Sequence, residues 1–154
     1  SNELPNNLPR VMAEQEHLVQ AFTHLIDNAI KFSPDGGTIT LRGWEEDGFS
    51  CVAVEDEGIG IEPQHLDHIF ERFYQADGSI NRRFEGMGIG LAIVWEIAEM
   101  YGGRVDVDSS PQAGSTFTVS LPQVGFSASD QSATTQRMGG TGSAAPAPRD
   151  IDLR

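Results

Sequence analysis

A glycine-rich turn that runs directly into an apolar helical segment constrains this chain more than any other feature. Gly86, Gly88 and Gly90 stand two residues apart, and the apolar segment begins at Leu91. Glycine tolerates unusual backbone angles and lets the chain approach a ligand closely. The first turn of a helix presents unpaired N–H groups and a positive dipole end, which favour phosphate. Because the stretch is neither a P-loop nor a strict dinucleotide fingerprint, it predicts either a tight turn or a phosphate-binding loop.

Hydrophobic periodicity predicts a chain in which helices and strands are interspersed. Three helices are expected, over Ala13–Lys31, from Glu62-Pro63 onward, and over Leu91–Tyr101. Strands are expected at Thr38–Trp44, Phe49–Glu55, Arg104–Asp108 and Ser115–Leu121, with a hairpin turn at Glu45–Gly48. In the last strand, Phe117, Val119 and Leu121 should face one way and Thr116, Thr118 and Ser120 the other.

The first helix carries a polar edge beside its apolar stripe. His24, Asn28 and Lys31 are four and three residues apart, so they lie along one side of the helix. Such an edge is either a solvated surface or a metal-and-phosphate edge, in which an amide oxygen binds a hard cation and an ammonium binds phosphate.

An acidic residue at a strand end marks a second candidate position. Asp56 is followed by Gly58 and Gly60, a pattern that suits a loop wrapped closely around a ligand. A carboxylate only accepts hydrogen bonds, so Asp56 could accept one from an exocyclic amine such as that of adenine. An Asx-type turn is the alternative for this motif.

Composition limits the choice of partners and compartment. The 154 residues carry a net charge of −13, which argues against nucleic acid and against contact of this domain with anionic membrane. His65 and His68 are expected to be exposed rather than zinc ligands. One cysteine, Cys51, and no long apolar run indicate a cytoplasmic domain, although a longer parent protein could be membrane-anchored.

The expected domain organisation has three parts. Residues 1–12 form an N-terminal extension in which Ser1-Asn2 is expected to be a cloning remnant, residues 13–122 form the domain, and residues 123–154 form a flexible tail or linker rich in Ser, Gly, Ala and Pro.

Five segments together resemble the N, G1, F, G2 and G3 boxes of bacterial sensor histidine kinases, in family order and spacing. They are Asn28–Ser33, Asp56–Gly60, Ile69–Phe73, Gly86–Leu91 and Gly114–Phe117. These boxes belong to the catalytic, ATP-binding domain of the GHKL superfamily (gyrase, Hsp90, histidine kinase, MutL). The resemblance implies an α+β fold: a two-layer α/β sandwich with helices on one face of a mixed, mainly antiparallel sheet.

The resemblance also implies ATP and Mg²⁺ as cofactors and a role for each matching residue. Asn28 resembles the Mg²⁺ ligand, Lys31 a phosphate contact, and Asp56 the carboxylate that reads the adenine amino group. Thr116 resembles the hydroxyl that reaches adenine through water. The remaining implied nucleotide contacts are Gly58, Gly60, Ile61, Phe73, Gly86, Gly88, Gly90 and Leu91, and residues 75–90 are a candidate lid.

Three departures from the family pattern stand out. His24 occupies the position where the family often has Asn and where ATP-hydrolysing relatives have a general-base Glu; it either orients water or phosphate, or is a satisfied polar residue. Gln75 replaces a common Arg, so Arg82 or Arg83 is the expected substitute at the γ-phosphate. No segment resembles the phosphoacceptor histidine box.

The resemblance therefore implies a protein histidine kinase fragment whose substrate histidine lies on a separate dimerisation domain. A response regulator is the implied partner further along the phosphorelay, and the isolated piece is expected to be monomeric. An anti-sigma-factor-type serine kinase or binding protein is an alternative that the F box disfavours. A gyrase- or Hsp90-type ATPase is disfavoured by the absence of Glu at position 24 and by the small size.

Overall fold

A five-stranded mixed sheet forms the centre of the computed structural model, which describes residues 1–75 and 88–125. The strands are β1 (Asn2–Glu3), β2 (Ile39–Glu46), β3 (Phe49–Asp56), β4 (Arg104–Ser109) and β5 (Ser115–Pro122), and their spatial order is β1-β2-β3-β5-β4. The helices are α1 (Gln15–Lys31), α2 (Pro63–Leu66) and α3 (Gly90–Met100). The predicted fold class is confirmed.

The strand order follows from two hairpins, β2–β3 and β4–β5, and the long connection between them. β2 and β3 pair antiparallel around a tight turn at Asp47 and Gly48, both at positive φ (48° and 80°). This turn lies where the acidic-glycine hairpin signal predicted it. β5 then pairs antiparallel with both β3 and β4, so the two strands that carry the predicted G1 and G3 segments are neighbours. Asp56 and the turn before β5 consequently meet at one end of the sheet.

Both long helices cover the same face of the sheet, because each carries one apolar stripe. Ala21, Leu25 and Ala29 of α1 are buried at spacings of four, as an amphipathic helix requires. They pack with Val94, Ile97 and Ala98 of α3 and with the sheet residues Val54, Val105, Phe117, Val119 and Leu121. The alternation predicted for Phe117, Val119 and Leu121 is confirmed by their burial.

The start of α1 is satisfied by a residue far away in sequence. Glu14 makes no side-chain cap, and its backbone N–H instead donates to the hydroxyl oxygen of Tyr101 at 3.1 Å. The Nδ1 atom of His17 lies 2.6 Å from the same hydroxyl. Tyr101, which follows α3, therefore fastens the beginning of α1 to the end of α3.

The N-terminal segment is ordered onto the domain, which the sequence pattern did not predict. β1 pairs parallel with β2 at Leu41 and Arg42, and the N-terminal ammonium of Ser1 donates to the carbonyl of Ile39 at 2.7 Å. The hydroxyl of Ser50 donates to the carbonyl of Pro9 at 2.7 Å. A two-residue strand is too short to show an alternating hydrophobic pattern, so the local sequence could not predict β1.

Two histidines, His65 in α2 and His68 just after it, make side-chain hydrogen bonds. Nδ1 of His65 lies 2.6 Å from the hydroxyl of Tyr74. His68 is exposed and pairs with Glu71 at 2.7 Å, and the hydrogen bond that its imidazole donates to the Glu71 carboxylate raises the pKa of His68. Within residues 1–75 and 88–125, no three His, Cys, Asp or Glu side chains converge as a metal cage, and no helix is long and apolar enough to cross a bilayer.

Candidate functional site

A buried carboxylate stands where β3 ends. Only 6% of Asp56 is exposed, and its Oδ1 atom accepts a hydrogen bond from the backbone N–H of Gly58 at 2.8 Å. Burial raises the pKa of Asp56, while hydrogen bonds from the backbone of Gly58 and Ser115 oppose that rise. A desolvated acceptor at the mouth of a loop is suited to a neutral donor such as an amine of a bound ring.

The loop that follows Asp56 (residues 57–62, the Asp56 loop) requires glycine at both predicted positions, Gly58 and Gly60. A Cβ on Gly58 would collide with the carbonyl oxygen of Phe32 and lie 2.7 Å from Oδ1 of Asp56. Gly60 has φ of +69°, and a Cβ there would collide with the carbonyl oxygen of Ser110. These two glycines let the loop press against the end of α1 on one side and the β4–β5 turn on the other.

Three hydrogen bonds fasten this loop to the elements around it. The N–H of Ile59 donates to the carbonyl of Phe32 at 2.9 Å, and the N–H of Gln112 donates to the carbonyl of Ile59 at 2.8 Å. The N–H of Ile61, itself partly buried against the core, donates to the hydroxyl of Ser109 at 2.9 Å. The N-box, G1 and G3 segments therefore converge at one end of the sheet.

Strand register corrects one predicted site residue. Asp56 pairs with Ser115, whereas Thr116 pairs with Glu55 and Asp108. Directly opposed residues share a face and successive residues alternate, so Thr116 lies on the opposite face of the sheet from Asp56. The hydroxyl on the Asp56 face belongs to Ser115, which is 7% exposed and lies 2.9 Å from the hydroxyl of Ser109.

The sequence already contained a signal for Ser115. The alternation that turns Phe117, Val119 and Leu121 inward also turns Ser115 inward, two residues before Phe117. Comparison with the G3 box by residue type favoured Thr116. The two-residue alternation of the strand favours Ser115 instead. Ser109, on β4, had no comparable signal, since its position opposite Ser115 depends on the pairing of two strands.

The polar edge of α1 connects this loop to the start of α3. Phe32, just beyond α1, contacts the Asp56 loop, and His24 contacts Gly90, where a Cβ would lie 3.2 Å from Nδ1 of the imidazole. Eight residues of helix separate these two contacts by about 12 Å. Asn28 lies between them and is partly exposed, and the ammonium of Lys31 lies 5.1 Å from the ring centre of Phe32. The three predicted edge residues thus run from the loop to the N-terminus of α3.

The glycine turn before α3 is described from Gly88 onward. Gly88 has φ of +64°, and its carbonyl accepts a hydrogen bond from the N–H of Phe73 at 2.9 Å. Phe73 also has positive φ (65°) and is 72% exposed, whereas Leu91 is partly buried against the core. The backbone therefore joins the F-box segment to the last part of the glycine turn. Arg82, Arg83 and Gly86 lie outside the described residues.

The matching family model covers residues 13–125 and is described as the histidine kinase-, DNA gyrase B- and HSP90-like ATPase family. Among curated proteins, the circadian input-output histidine kinase CikA of Synechocystis sp. is 44% identical over 114 residues, covering 74% of this chain and 15% of CikA. The sensor-like histidine kinase SenX3 of Mycobacterium tuberculosis is 41% identical over 120 residues, covering 78% of this chain and 29% of SenX3.

Solved structures of histidine kinases show the same fold. The mycobacterial sensor histidine kinase MprB is 31% identical with a TM-score of 0.68, and the match covers 79% of this chain and 80% of the MprB chain. Full-length ShkA in complex with AMPPNP is 30% identical with a TM-score of 0.69, covering 80% of this chain and 25% of ShkA.

The chain spans less than a third of the curated relatives that it matches. Its glycine-lined loop, its buried strand-end aspartate and the polar edge of α1 lie within the matched residues 13–125. This chain belongs to the histidine kinase-, DNA gyrase B- and HSP90-like ATPase family, and its matched relatives are sensor histidine kinases.

Proposed function

We propose that this chain is the ATP-binding catalytic domain of a two-component sensor histidine kinase. In this role it would donate the γ-phosphoryl group of ATP to a histidine on a separate dimerisation domain, from which a response regulator would receive it. The observation that carries the proposal is the convergence of the Asp56 loop with an α1 polar edge that leads to the start of α3. A nucleoside triphosphate needs this combination of a ring-reading acceptor at one end and phosphate contacts at the other.

Asp56 is the proposed reader of the adenine amino group. The carboxylate is desolvated and is held by the backbone of Gly58, so little reorganisation is needed when a donor arrives. Gly58, Gly60 and Ile61 would form the backbone wall beside the base. Ser115 takes over the water-mediated contact first expected of Thr116, because it shares the Asp56 face.

Asn28 and Lys31 are the proposed residues at the phosphates. An amide oxygen is a suitable ligand for Mg²⁺, which usually takes one or two protein ligands and completes its shell with phosphate and water. When bound, the ion would neutralise charge on the phosphates, which matters in a chain whose net charge is −13. Lys31 would supply a further positive charge, and His24 would orient the terminal phosphate beside Gly90. Gly88, Gly90 and Leu91 would line the phosphate end, with Phe73 beside them; Gly86 and the cations Arg82 and Arg83 remain sequence-based predictions.

Calorimetric titration with ATP and Mg²⁺ tests the adenine contact. We expect Asp56→Asn to weaken binding by about 1–3 kcal/mol, because a buried charged acceptor is lost. Asp108→Asn is the matched control, since Asp108 lies near the same end of the sheet but is exposed on the opposite face. Equal affinity of the wild type and Asp56→Asn would contradict the adenine role.

The same titration with and without Mg²⁺ tests the metal contact. Asn28→Ala should lose most of the tightening that Mg²⁺ produces, because it removes the proposed ligand oxygen. Gln20→Ala provides the control, since it removes an exposed amide two turns earlier on the same helix. If Mg²⁺ tightened ATP binding equally in Asn28→Ala and Gln20→Ala, Asn28 would not be the ligand.

A further inference from the structure

The side-chain hydroxyl of Ser33 is buried beside the Asp56 loop and takes part in none of the hydrogen bonds of the site. The Oγ atom of Ser33 is shielded from solvent and has no hydrogen-bond partner within the described parts of the chain. The backbone of Ser33 is well held, because its N–H donates to the carbonyl of Ile30 at 3.3 Å and its carbonyl accepts from Gly36 at 3.0 Å. Buried hydroxyls in folded proteins are normally paired with protein or with ordered water.

The position of Gly58 shows how close this hydroxyl is to the purine-reading carboxylate. Oδ1 of Asp56 and Oγ of Ser33 lie 2.7 and 2.8 Å from the point that a Cβ on Gly58 would occupy. The two oxygens are therefore at most 5.5 Å apart, the sum of those distances. They do not bond directly, since Oγ has no partner there. Polar atoms separated by more than hydrogen-bond distance but within reach of one shared water are commonly bridged by it.

Gly58 makes room for this arrangement. The carbonyl of Phe32, the Ser33 hydroxyl and the Asp56 carboxylate all lie close to the point that a Cβ on Gly58 would occupy, so a side chain at this position would push them apart. Oδ1 accepts the N–H of Gly58, and a carboxylate oxygen has a second lone pair for another donor. The hydroxyl of Ser33 is thus placed to supply that donor through water.

We propose that Ser33 is a positioning residue: one water bonded to its hydroxyl donates to Oδ1 of Asp56, which keeps the carboxylate ionised and oriented toward a purine amino group. This inference rests on the proposed ATP-binding function and extends it to a residue that does not itself touch the nucleotide. A hydrogen bond donated to the charged form favours that form. Ser33 therefore counteracts the burial that raises the pKa of Asp56.

Several charged or titratable groups lie on the elements around Asp56. They are Glu16, His17, His24, Asp27 and Lys31 on α1, Glu57 in the loop, Glu45 far along the same face of β2, and Glu46, Glu55 and Arg42 on the opposite face. Glu57 accepts the N–H of Thr38 at 2.9 Å, and Glu55 pairs with Arg42 at 3.2 Å. The main influences on the ionisation of Asp56 are its burial and the hydrogen bonds that it accepts.

Carboxyl NMR titration of the nucleotide-free protein is the direct test. Ser33→Ala should titrate Asp56 at a higher pH than the wild type does, because the charged form loses a donor. Ser50→Ala is the control, since Ser50 lies on the same face of β3 at its far end and donates to Pro9. Ser50→Ala should leave the Asp56 titration unchanged. An Asp56 titration that is the same in Ser33→Ala and the wild type would overturn the proposal.

ATP binding across pH supplies a second readout that a purely structural role would not change. The ratio of the ATP dissociation constants of Ser33→Ala and the wild type should be larger at pH 5.5 than at pH 8, because Asp56 of the variant loses its charge at a higher pH. ATP titrates equally in both measurements, so the ratio isolates the protein. A constant ratio would count against a role through Asp56.

A crystal structure of the wild type should contain a water within hydrogen-bond distance of both Ser33 Oγ and Asp56 Oδ1. Direct contact of the two oxygens, or a dry gap, would contradict the bridge. If the wild type did not bind ATP at all, the proposed function would fail, whereas the shifted titration of Asp56 in nucleotide-free Ser33→Ala would still support the positioning role.

Discussion

Asp56 is a buried carboxyl group whose surroundings disfavour its charged form. Burial raises its pKa above the value of an unfolded chain, so folding favours the protonated carboxyl. The stabilisation from this group is fully present below the unfolded pKa and is lost as pH rises through the folded pKa. At neutral pH the nucleotide-free domain therefore carries a desolvated charge with limited compensation.

We expect Asp56→Asn to raise the melting temperature of the nucleotide-free domain at neutral pH, because the amide carries no charge to desolvate. The rise should be a few degrees, since 1 kcal/mol moves the midpoint of a domain of about 100 residues by roughly 4–8 °C. Thermal unfolding followed by circular dichroism at several pH values measures it. The difference from wild type should shrink as pH falls through the pKa of Asp56.

Asp108→Asn is again the control and should leave the melting temperature within about 2 °C of wild type, as surface substitutions usually do. A lower melting temperature for Asp56→Asn at neutral pH would show that the carboxylate is a net stabilising group, contrary to the effect of its burial.

At the scale of elements, α1 depends on α3 for its first turn. The helix has no side-chain cap of its own, and the hydroxyl of Tyr101 accepts the N–H of Glu14 while contacting His17. A helix start whose N–H groups lack partners is costly. Since α1 carries the His24–Lys31 edge, this contact also supports the site from a distance.

Tyr101→Phe should destabilise the domain by about 0.5–2 kcal/mol, the range observed when a helix cap is removed. Urea unfolding gives the value, and faster amide exchange in the first turn of α1 would locate the effect. Tyr74→Phe is the matched control, because it loses a similar 2.6 Å contact to a histidine but no helix cap. Equal losses in the two variants would refute a specific capping role for Tyr101.

At the scale of the whole molecule, the domain holds the proposed nucleotide site but no segment that resembles the phosphoacceptor. Catalysis of phosphoryl transfer depends mainly on positioning and on charge stabilisation. A site without a positioned acceptor should therefore transfer very slowly, whatever its affinity for ATP.

Purified domain mixed with radiolabelled ATP alone should acquire almost no label. Addition of a separately expressed histidine hairpin from the parent kinase should produce acid-labile phosphate on the hairpin at a rate at least about 10²-fold above that background. Asp56→Asn should reduce this rate, and Asp108→Asn should not. Acid-stable phosphate on serine would instead support the serine kinase alternative.

The fold class, the order of α1–α3 and β2–β5 along the chain, and the position of the Asp56 loop could all be predicted from the amino-acid sequence. These features depend on local patterns: the apolar period of α1, the alternation of β5, and glycines where no Cβ fits. Such patterns can be used for prediction because the conformation of each residue is limited mainly by its near neighbours in the chain.

The tertiary structure was needed to find the features that depend on distant segments. It paired β1 with β2, capped α1 with Tyr101, put Ser115 rather than Thr116 on the Asp56 face, and left the Ser33 hydroxyl buried beside Gly58. Each of these depends on the register or packing of elements far apart in the chain. Side-chain periodicity predicts which residues turn inward. It does not predict which residues of other elements they contact, so these contacts appear only in the folded chain.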